Sequence, residues 1–411
     1  MVTTRPGLGI VYWRLWSAAS LSSLADGILK FALPLVAVGL TRSPTLIAGL
    51  NFAFTVPWLL CALVAGALAD RLDRRRLMLA ANFARAALLA GLVLVTLTGA
   101  DSIWALYVVA LGVGMAETVY DTSAQSIVPQ VVGRDQLSRA NGRMFGAELT
   151  ANEFAGPPLA GFLVAAGAVL AFSVPLGLWA IAIVALLLVR GSFRVERPPS
   201  TLRADIAEGL RFLWRNRLLR VFSVMVGVFN FATAATFSIL VLYAVGPGSA
   251  MRMSAPAFGF LMTTIAAGSL LGSFAAERIE RRFGRAKTLA LSFAVNAAVV
   301  GIPAVTANPY VIGAVFFVGG AALIVSNVVM VSLRQRITPA RLLGRVNSGH
   351  RLVAYGTKPL GAVVGGLLAQ FLGLRPVFAV MALLVLALLA GMRVVTESAI
   401  AAAEESARRS S

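Results

Sequence analysis

The chain has 411 residues, of which 59% are hydrophobic and 13% charged, and its formal net charge is +19. Water-soluble domains are not built this way: a hydrocarbon core of about 30 Å takes about 20 apolar residues per helical span, and such runs use nearly the whole length, leaving little for a separate enzymatic domain. One histidine and one cysteine exclude ordinary zinc clusters, and the absence of a glycine-rich phosphate loop argues against direct use of ATP, so neither metal nor cofactor is expected.

Twelve apolar runs are predicted as membrane spans, at 11–40, 46–69, 77–98, 103–128, 142–167, 169–189, 219–245, 255–276, 287–306, 309–333, 347–372 and 376–396. The first is too long for a signal-peptide core and holds Asp26 and Lys30, so it reads as a span. Asp26 falls about 22 Å along it at 1.5 Å per residue, and Lys30 lies one turn further on the same face. Two readings of Asp26 stay open. It forms a permanent ion pair with Lys30, or it alternates between protonated and charged states as a coupling group.

The second span ends in Gly66-Ala-Leu-Ala-Asp70-Arg71-Leu-Asp73-Arg74-Arg75-Arg76, and the eighth in Ser273-Phe-Ala-Ala-Glu277-Arg278-Ile-Glu280-Arg281-Arg282. Both read small-x-x-x-acid-Arg-x-acid-Arg-Arg. Arg139-Ala-Asn141-Gly142 and Arg345-Val-Asn347-Ser348 recur at almost the same offset, so the chain is a duplicated membrane protein.

An ionisable side chain at the centre of a span costs about 2.5 to 3.5 kcal/mol, so each one invites a functional reading. In the third span Arg85 either snorkels or neutralises an acid of a neighbouring helix. Glu117 and Asp121 share a face of the fourth span. Glu148 and Asn152 share a face of the fifth, with Glu153 beside them. Asp26, Glu117, Glu148 and Glu153 are the proton-coupling candidates. The fifth span continues into Gly156-Pro157-Pro158-Leu-Ala160-Gly161, where proline removes backbone donors and glycine lets another helix pack against the resulting bend.

After the sixth span, Pro198-Pro199 breaks the chain, and Leu202, Ile206, Leu210, Leu213 and Trp214 then recur at helical spacing among charges. That segment is expected as an amphipathic helix on the membrane surface. The expected domains are a six-helix bundle over 1–190, a linker over 191–218, a second bundle over 219–397 and a tail over 398–411. In the second half, His350 is expected at the interface, and Lys358 precedes the bend Pro359-Leu-Gly361. A large amphipathic substrate would suit walls of apolar and aromatic residues with a few polar groups, for which Lys30, Trp58, Asn152, Phe229, Asn230, Phe231, Phe237 and Lys358 are the candidates.

The arginines follow the second, fourth, sixth, eighth and tenth spans, the pattern of the positive-inside rule, which argues against a nucleic-acid partner and places both termini in the cytoplasm.

The repeated spans, the loop motif and the Gly-Pro motif together resemble the major facilitator superfamily over essentially the whole chain. Asp26-Gly, Leu40-Thr-x-Ser-Pro44, Glu117-Thr-x-x-Asp121, Arg139-Ala-Asn-Gly, Ser332-Leu-Arg-Gln and Gly344-Arg-Val-Asn347 are similar to bacterial exporters of the macrolide-efflux and enterobactin-exporter type. The resemblance implies an all-α integral membrane protein of twelve transmembrane helices in two pseudo-symmetric six-helix bundles, working by alternating access, with spans one, four and five lining the cavity.

It implies a conformational latch of Gly66, Asp70, Arg71, Arg74, Asp121 and Asn347. There Gly66 allows close helix approach, Asp70 caps span eleven near Asn347, and Arg74 pairs with Asp121. Asp73 departs from the family's usual glycine, and Asn327 stands where Asp121 would repeat. Gly156, Pro157, Pro158 and Gly161 look like the antiporter bend, with Ala160 in place of one glycine.

The expected function is proton-coupled efflux of hydrophobic drugs or natural products by a monomer in the bacterial plasma membrane. The partners are then a small-molecule substrate, protons and the lipid bilayer. Export of a siderophore or endogenous metabolite is the nearest alternative, and a non-transporting receptor or sensor is the alternative of another class.

Overall fold

The computed structural model describes residues 8–191, 193, 202–339 and 342–410. Within them the chain is helical almost throughout, with one isolated β-bridge, between Val245 and Met253. In chain order the helices are α1 Gly9–Leu40, α2 Pro44–Arg71, α3 Arg74–Leu97, α4 Ile103–Val131, α5 Leu137–Leu149, α6 Gly156–Ala166, α7 Ala168–Leu187 and α8 Leu202–Arg215. They continue as α9 Arg217–Ala244, α10 Ala255–Phe283, α11 Arg285–Val305, α12 Pro309–Ile337, α13 Leu343–Leu372, α14 Leu374–Ala387 and α15 Glu397–Ser410.

Eleven of the described helices are long and apolar enough to cross a membrane. The remaining expected span, the fifth, is interrupted: α5 and α6 are joined by a π-helical turn over Thr150–Ala155, in which the Gly156 N–H reaches back five residues to the Ala151 carbonyl. Pro157 and Pro158 explain the slip. Neither can donate to a carbonyl four residues earlier, and a wider register just before them re-satisfies part of the freed backbone. Several helices also run beyond their apolar runs at the arginine-rich end, where α10 extends to Phe283 and α12 to Ile337, because hydropathy ends at the interface while helical hydrogen bonding does not.

The chain divides into two compact units. Unit 1 comprises Met1–Thr41, Ala53–Pro198 and Ser254–Gly259, and unit 2 comprises Arg42–Phe52, Pro199–Met253 and Phe260–Ser411. Unit 1 buries a core of Tyr12, Leu15, Met78, Ile127, Leu186 and Phe193, with a smaller cluster of Ile28, Ala32, Ala160 and Ala171. In unit 2 the core is built from Leu213, Phe222, Phe293, Leu333, Val346 and Val395.

Two segments read as connectors are docked parts of unit 2. Helix α8, expected as a surface linker, lies against α13, with Gly209 on the backbone of Arg345 and Glu208 paired with the Arg345 guanidinium. The double proline before it lies outside the described residues. The expected tail forms α15, whose Glu404 pairs with Arg285 at 2.7 Å and Arg336 at 3.6 Å, joining it to the ends of α11 and α12.

Candidate functional site

The polar centre of unit 1 forms where α1 crosses the interrupted span. A Cβ on Gly27 would lie 2.7 Å from the Ala151 oxygen and 2.9 Å from the Asn152 Cα, and one on Gly156 would lie 2.7 Å from the Gly27 carbonyl carbon. Two glycines therefore bring two backbones into contact, as small residues do at membrane helix crossings. The crossing sets Asp26, next to Gly27, beside the π-helical turn that carries Asn152 and Glu153.

Asp26 is buried, and its partner is Arg85 of α3, whose Nη1 lies 3.2 Å from Oδ2. The same nitrogen donates to Ser22 Oγ at 3.1 Å and Asn82 Oδ1 at 3.3 Å. Arg85 is 0% exposed, and its guanidinium lies over the rings of Tyr120 at 4.9 Å and Trp179 at 5.6 Å. A buried cation of this kind is tolerable only with its carboxylate and aromatic faces in place. Of the two readings of Arg85, it neutralises a neighbouring acid. The expected Asp26–Lys30 pair is not formed: Lys30 has its side chain exposed and acts on Asp26 through the field alone. Arg85 takes the carboxylate because it approaches from a neighbouring helix into the buried side of α1, whereas Lys30 sits on the accessible side.

Around this pair lie further acids. Lys30 feels Glu117, Glu153, Asp26 and Asp121, while Asp121 feels Glu117, Arg85, Asp26 and Glu148. Glu117 and Asp121 are half-buried on α4, and Glu148 and Glu153 are exposed on the interrupted span. Unit 1 thus gathers five carboxylates, Asp26, Glu117, Asp121, Glu148 and Glu153, about two cations, Lys30 and Arg85. Below the crossing, the Gly-Pro segment is packed on its other side as well: Gly161 faces the backbone of Ala255 and Pro256, and Gly259 that of Pro157 and Pro158.

The loop motif is arranged differently from the expectation. A Cβ on Gly66 would meet no described atom within 4 Å. The Asp70 side chain lies outside the described residues. Arg71 is exposed. Arg74 is buried, with Nε donating to the Ala69 carbonyl at 3.2 Å and Nη1 to the Ser126 carbonyl at 2.8 Å. Among the described residues no ion pair joins it to Asp121, because it reaches the backbone of α4 more than a turn beyond that carboxylate. In unit 2, Asn347 accepts from Arg334 Nε at 2.8 Å.

Asp73, the departure from the family pattern, is the N-cap of α3. Its Oδ1 accepts from the Arg76 N–H at 3.0 Å and its Oδ2 from the Phe193 N–H at 2.7 Å. Arg75 covers the last carbonyls of α7, at Leu186 and Leu187.

The aromatic candidates of unit 2 are engaged in packing. Phe229 meets Phe293 edge-on with centroids 6.3 Å apart, Phe237 lies 5.7 Å from Phe316, and the Phe231 backbone is where Gly361 approaches. Asn230 donates to the Ala354 carbonyl at 2.7 Å, and Lys358 stands over the Tyr355 ring at 4.6 Å. Trp58 is half-buried on α2, and His350 Nδ1 bonds Ser223 Oγ at 2.9 Å.

A duplicated bundle of membrane helices with glycine-mediated crossings and a buried charge cluster defines a multi-pass membrane transporter of the major facilitator fold. Solved structures agree in fold. A bacterial homologue of the iron transporter ferroportin in its inward-facing state superposes with a TM-score of 0.74, at 18% identity, covering 93% of this chain and 98% of that one. The nucleoside transporter NupG gives 0.72 at 14% identity, covering 94% and 98%. The model of the transmembrane secretion effector family matches residues 6–411, and the chain belongs to that family. Among named relatives, the multidrug efflux pump Tap of Mycolicibacterium fortuitum is 27% identical over 384 residues, covering 89% of this chain and 91% of Tap. The enterobactin exporter EntS of Shigella boydii serotype 4 is 26% identical over 355 residues, covering 84% and 81%.

Proposed function

We propose that this protein exports a hydrophobic drug or natural product in exchange for protons, by alternating access, in a bacterial plasma membrane with both termini cytoplasmic. The observation that carries the reading is the excess of acids in the charge cluster of unit 1. Five carboxylates about two cations, inside spans where each charge is costly, call for protons or a cationic substrate to balance them. Asp26 is held by Arg85 beside the crossing, so the exchangeable protons fall to Glu117, Glu148 and Glu153. Asn152 and Lys30 contribute the polar side of the substrate path. Gly156, Pro157, Pro158 and Gly161 supply the bend about which the span works. The loop motif is a latch that changes partners during the cycle, with Arg74 exchanging its carbonyl acceptors for Asp121 when the helix ends move.

One proton moving inward across 100 mV contributes about 2.3 kcal/mol, and each pH unit about 1.4 kcal/mol, enough to drive a useful outward gradient. The likeness to an enterobactin exporter favours a second reading, export of a siderophore or other endogenous metabolite by the same machinery.

The test is reconstitution in liposomes with internal pH recorded as candidate macrolides, tetracyclines and siderophores are added. Substrate-dependent proton movement that is lost in Glu117→Gln or Glu153→Gln supports the reading. Substrate movement with no proton signal in any variant rejects it.

A further inference from the structure

At the arginine-rich end of unit 2, the close of α8, the start of α9 and the chain entering α15 border an open cavity of about 520 Å³ lined by Arg215, Asn216, Arg217, Arg393, Thr396 and Ala399. The three arginines are exposed, and among the described residues none of them has a carboxylate within ion-pair distance. Asn216 already caps α9, its Oδ1 accepting from the Leu218 and Leu219 N–H groups at 3.1 Å, so the cavity's attraction for an anion resides in the guanidiniums and not in the helix end. Trp214 adjoins the cavity and is 44% exposed, as aromatic residues are at the level of lipid headgroups.

A second basic cavity of similar size, in unit 1, shows what is distinctive here. It is lined by Arg71, Arg75 and Arg76, but Asp73 stands in its wall and Arg75 is committed to the carbonyls of Leu186 and Leu187. Of these two cavities, the one in unit 2 combines three uncommitted guanidiniums with no acid among its lining residues.

We propose that this cavity binds the phosphate headgroup of an anionic phospholipid. Guanidinium forks match phosphate oxygens in paired hydrogen bonds, and the surplus of three positive charges favours a lipid carrying more than one phosphate. The cavity volume suits a headgroup, and the first turns of α9, which enter the bilayer here, place the acyl chains beside the protein. A bound headgroup ties α8 and α9 to α15, which is also fastened through Glu404 to Arg285 and Arg336 and through Glu397 to the Ala286 N–H. The lipid thereby adds to the attachment of the terminal helix.

The test is native mass spectrometry of the full chain titrated with diphosphatidylglycerol, phosphatidylglycerol and phosphatidylethanolamine. Retention is expected to follow headgroup charge, and to fall by about fivefold per arginine removed in Arg215→Gln/Arg217→Gln/Arg393→Gln. It should be unchanged in Arg278→Gln/Arg281→Gln/Arg282→Gln, a control of equal charge loss. Ala399→Glu removes no arginine but brings a carboxylate into the cavity, and should weaken retention even if the triple variant folds poorly. Equal losses in the two triple variants, equal retention of the zwitterionic lipid, or displacement by millimolar glycerol phosphate would each overturn the proposal. The last result would make a soluble phosphate ester the ligand.

Discussion

The two units solve the same packing problem with opposite chemistry. In unit 1, α1 crosses the fifth span through Gly27 and Gly156, and the crossing is charged, interrupted by a π-helical turn and surrounded by acids. In unit 2, α9 crosses α13 through Gly361 and Gly365, which face the backbones of Phe231 and Ala235. There α13 stays α-helical through Pro359, and the hydrogen bonds at the crossing are between neutral groups, Asn230 donating to Ala354 and Thr357 to Gly227, while the charge of Lys358 stands over the Tyr355 ring. One proline leaves one carbonyl without its donor, and a helix absorbs that; two in succession shift the register. Duplication supplied two equivalent crossings, and the carboxylates are gathered at one of them.

The largest expected effect separates the acid-rich crossing from the one without acids. Arg85→Leu leaves the Asp26 carboxylate buried without its cation and should cost about 3 to 5 kcal/mol, whereas Asn230→Leu at the other crossing should cost only about 1 to 3 kcal/mol. Thermal unfolding in a lipid-containing micelle reads both. If Asp26→Leu/Arg85→Leu recovers most of the stability while transport stays absent, the pair is a functional expense. If the double variant is no more stable than Arg85→Leu, the loss lies in the Tyr120 and Trp179 packing of Arg85.

Next in size are the glycines. Gly27→Ala and Gly365→Ala each drive a methyl into opposing backbone and should destabilise by similar amounts, about 1 to 3 kcal/mol. Only Gly27→Ala is expected to alter substrate-linked proton movement, because it displaces the π-helical turn that bears Glu153. A matched effect of both on the proton signal would remove the functional distinction between the units. Gly66→Ala, which meets open space in this conformation, is the contrasting case: it should leave thermal stability unchanged and act, if at all, on transport rate.

Much of this architecture was legible in the sequence because a bilayer reads hydropathy directly: the apolar runs, their duplication and the alternating arginines needed no knowledge of partners. Asp26, Glu117, Glu148 and Glu153 were legible as candidates because charge in a span is costly wherever it faces. The Asp26–Arg85 pair was not, since no periodicity links two positions 59 residues apart, although an intramembrane arginine signals that an acid lies near it. The π-helical turn was hidden because the prolines announce a bend at their own position while its hydrogen-bond slip falls upstream. Helix α15 was read as a tail because its Ala-rich segment carries an apolar face too narrow to register as a span, and its docking depends on Arg285 and Arg336, which are remote in sequence.

The smallest effects concern how each repeat caps the helix after its loop motif. In unit 1 the cap is local: Asp73 accepts from Arg76 and also holds Phe193 of the chain leaving the sixth span. In unit 2 the N-cap of the helix after the loop is Gly284, with φ of 77°, four residues beyond the motif acid Glu280, and a carboxylate comes instead from Glu397, whose Oε1 accepts from the Ala286 N–H at 2.7 Å. The departure of Asp73 from the family's glycine is therefore the local solution to a need that unit 2 meets from the chain beyond its last span. Asp73→Ala and Glu397→Ala should each cost about 0.5 to 2 kcal/mol, the range of an ordinary helix cap. Their consequences should differ in kind. Losing Asp73 loosens one loop, whereas losing Glu397 also removes a fastening of α15, so limited proteolysis should clip the C-terminal helix several-fold faster in Glu397→Ala and at the wild-type rate in Asp73→Ala. Gly284→Asp supplies unit 2 with its own local carboxylate, but at a positive φ of 77° where a side chain is strained. It should therefore fail to rescue Glu397→Ala, and a full rescue would show that the backbone of this loop is free to adopt the conformation of unit 1.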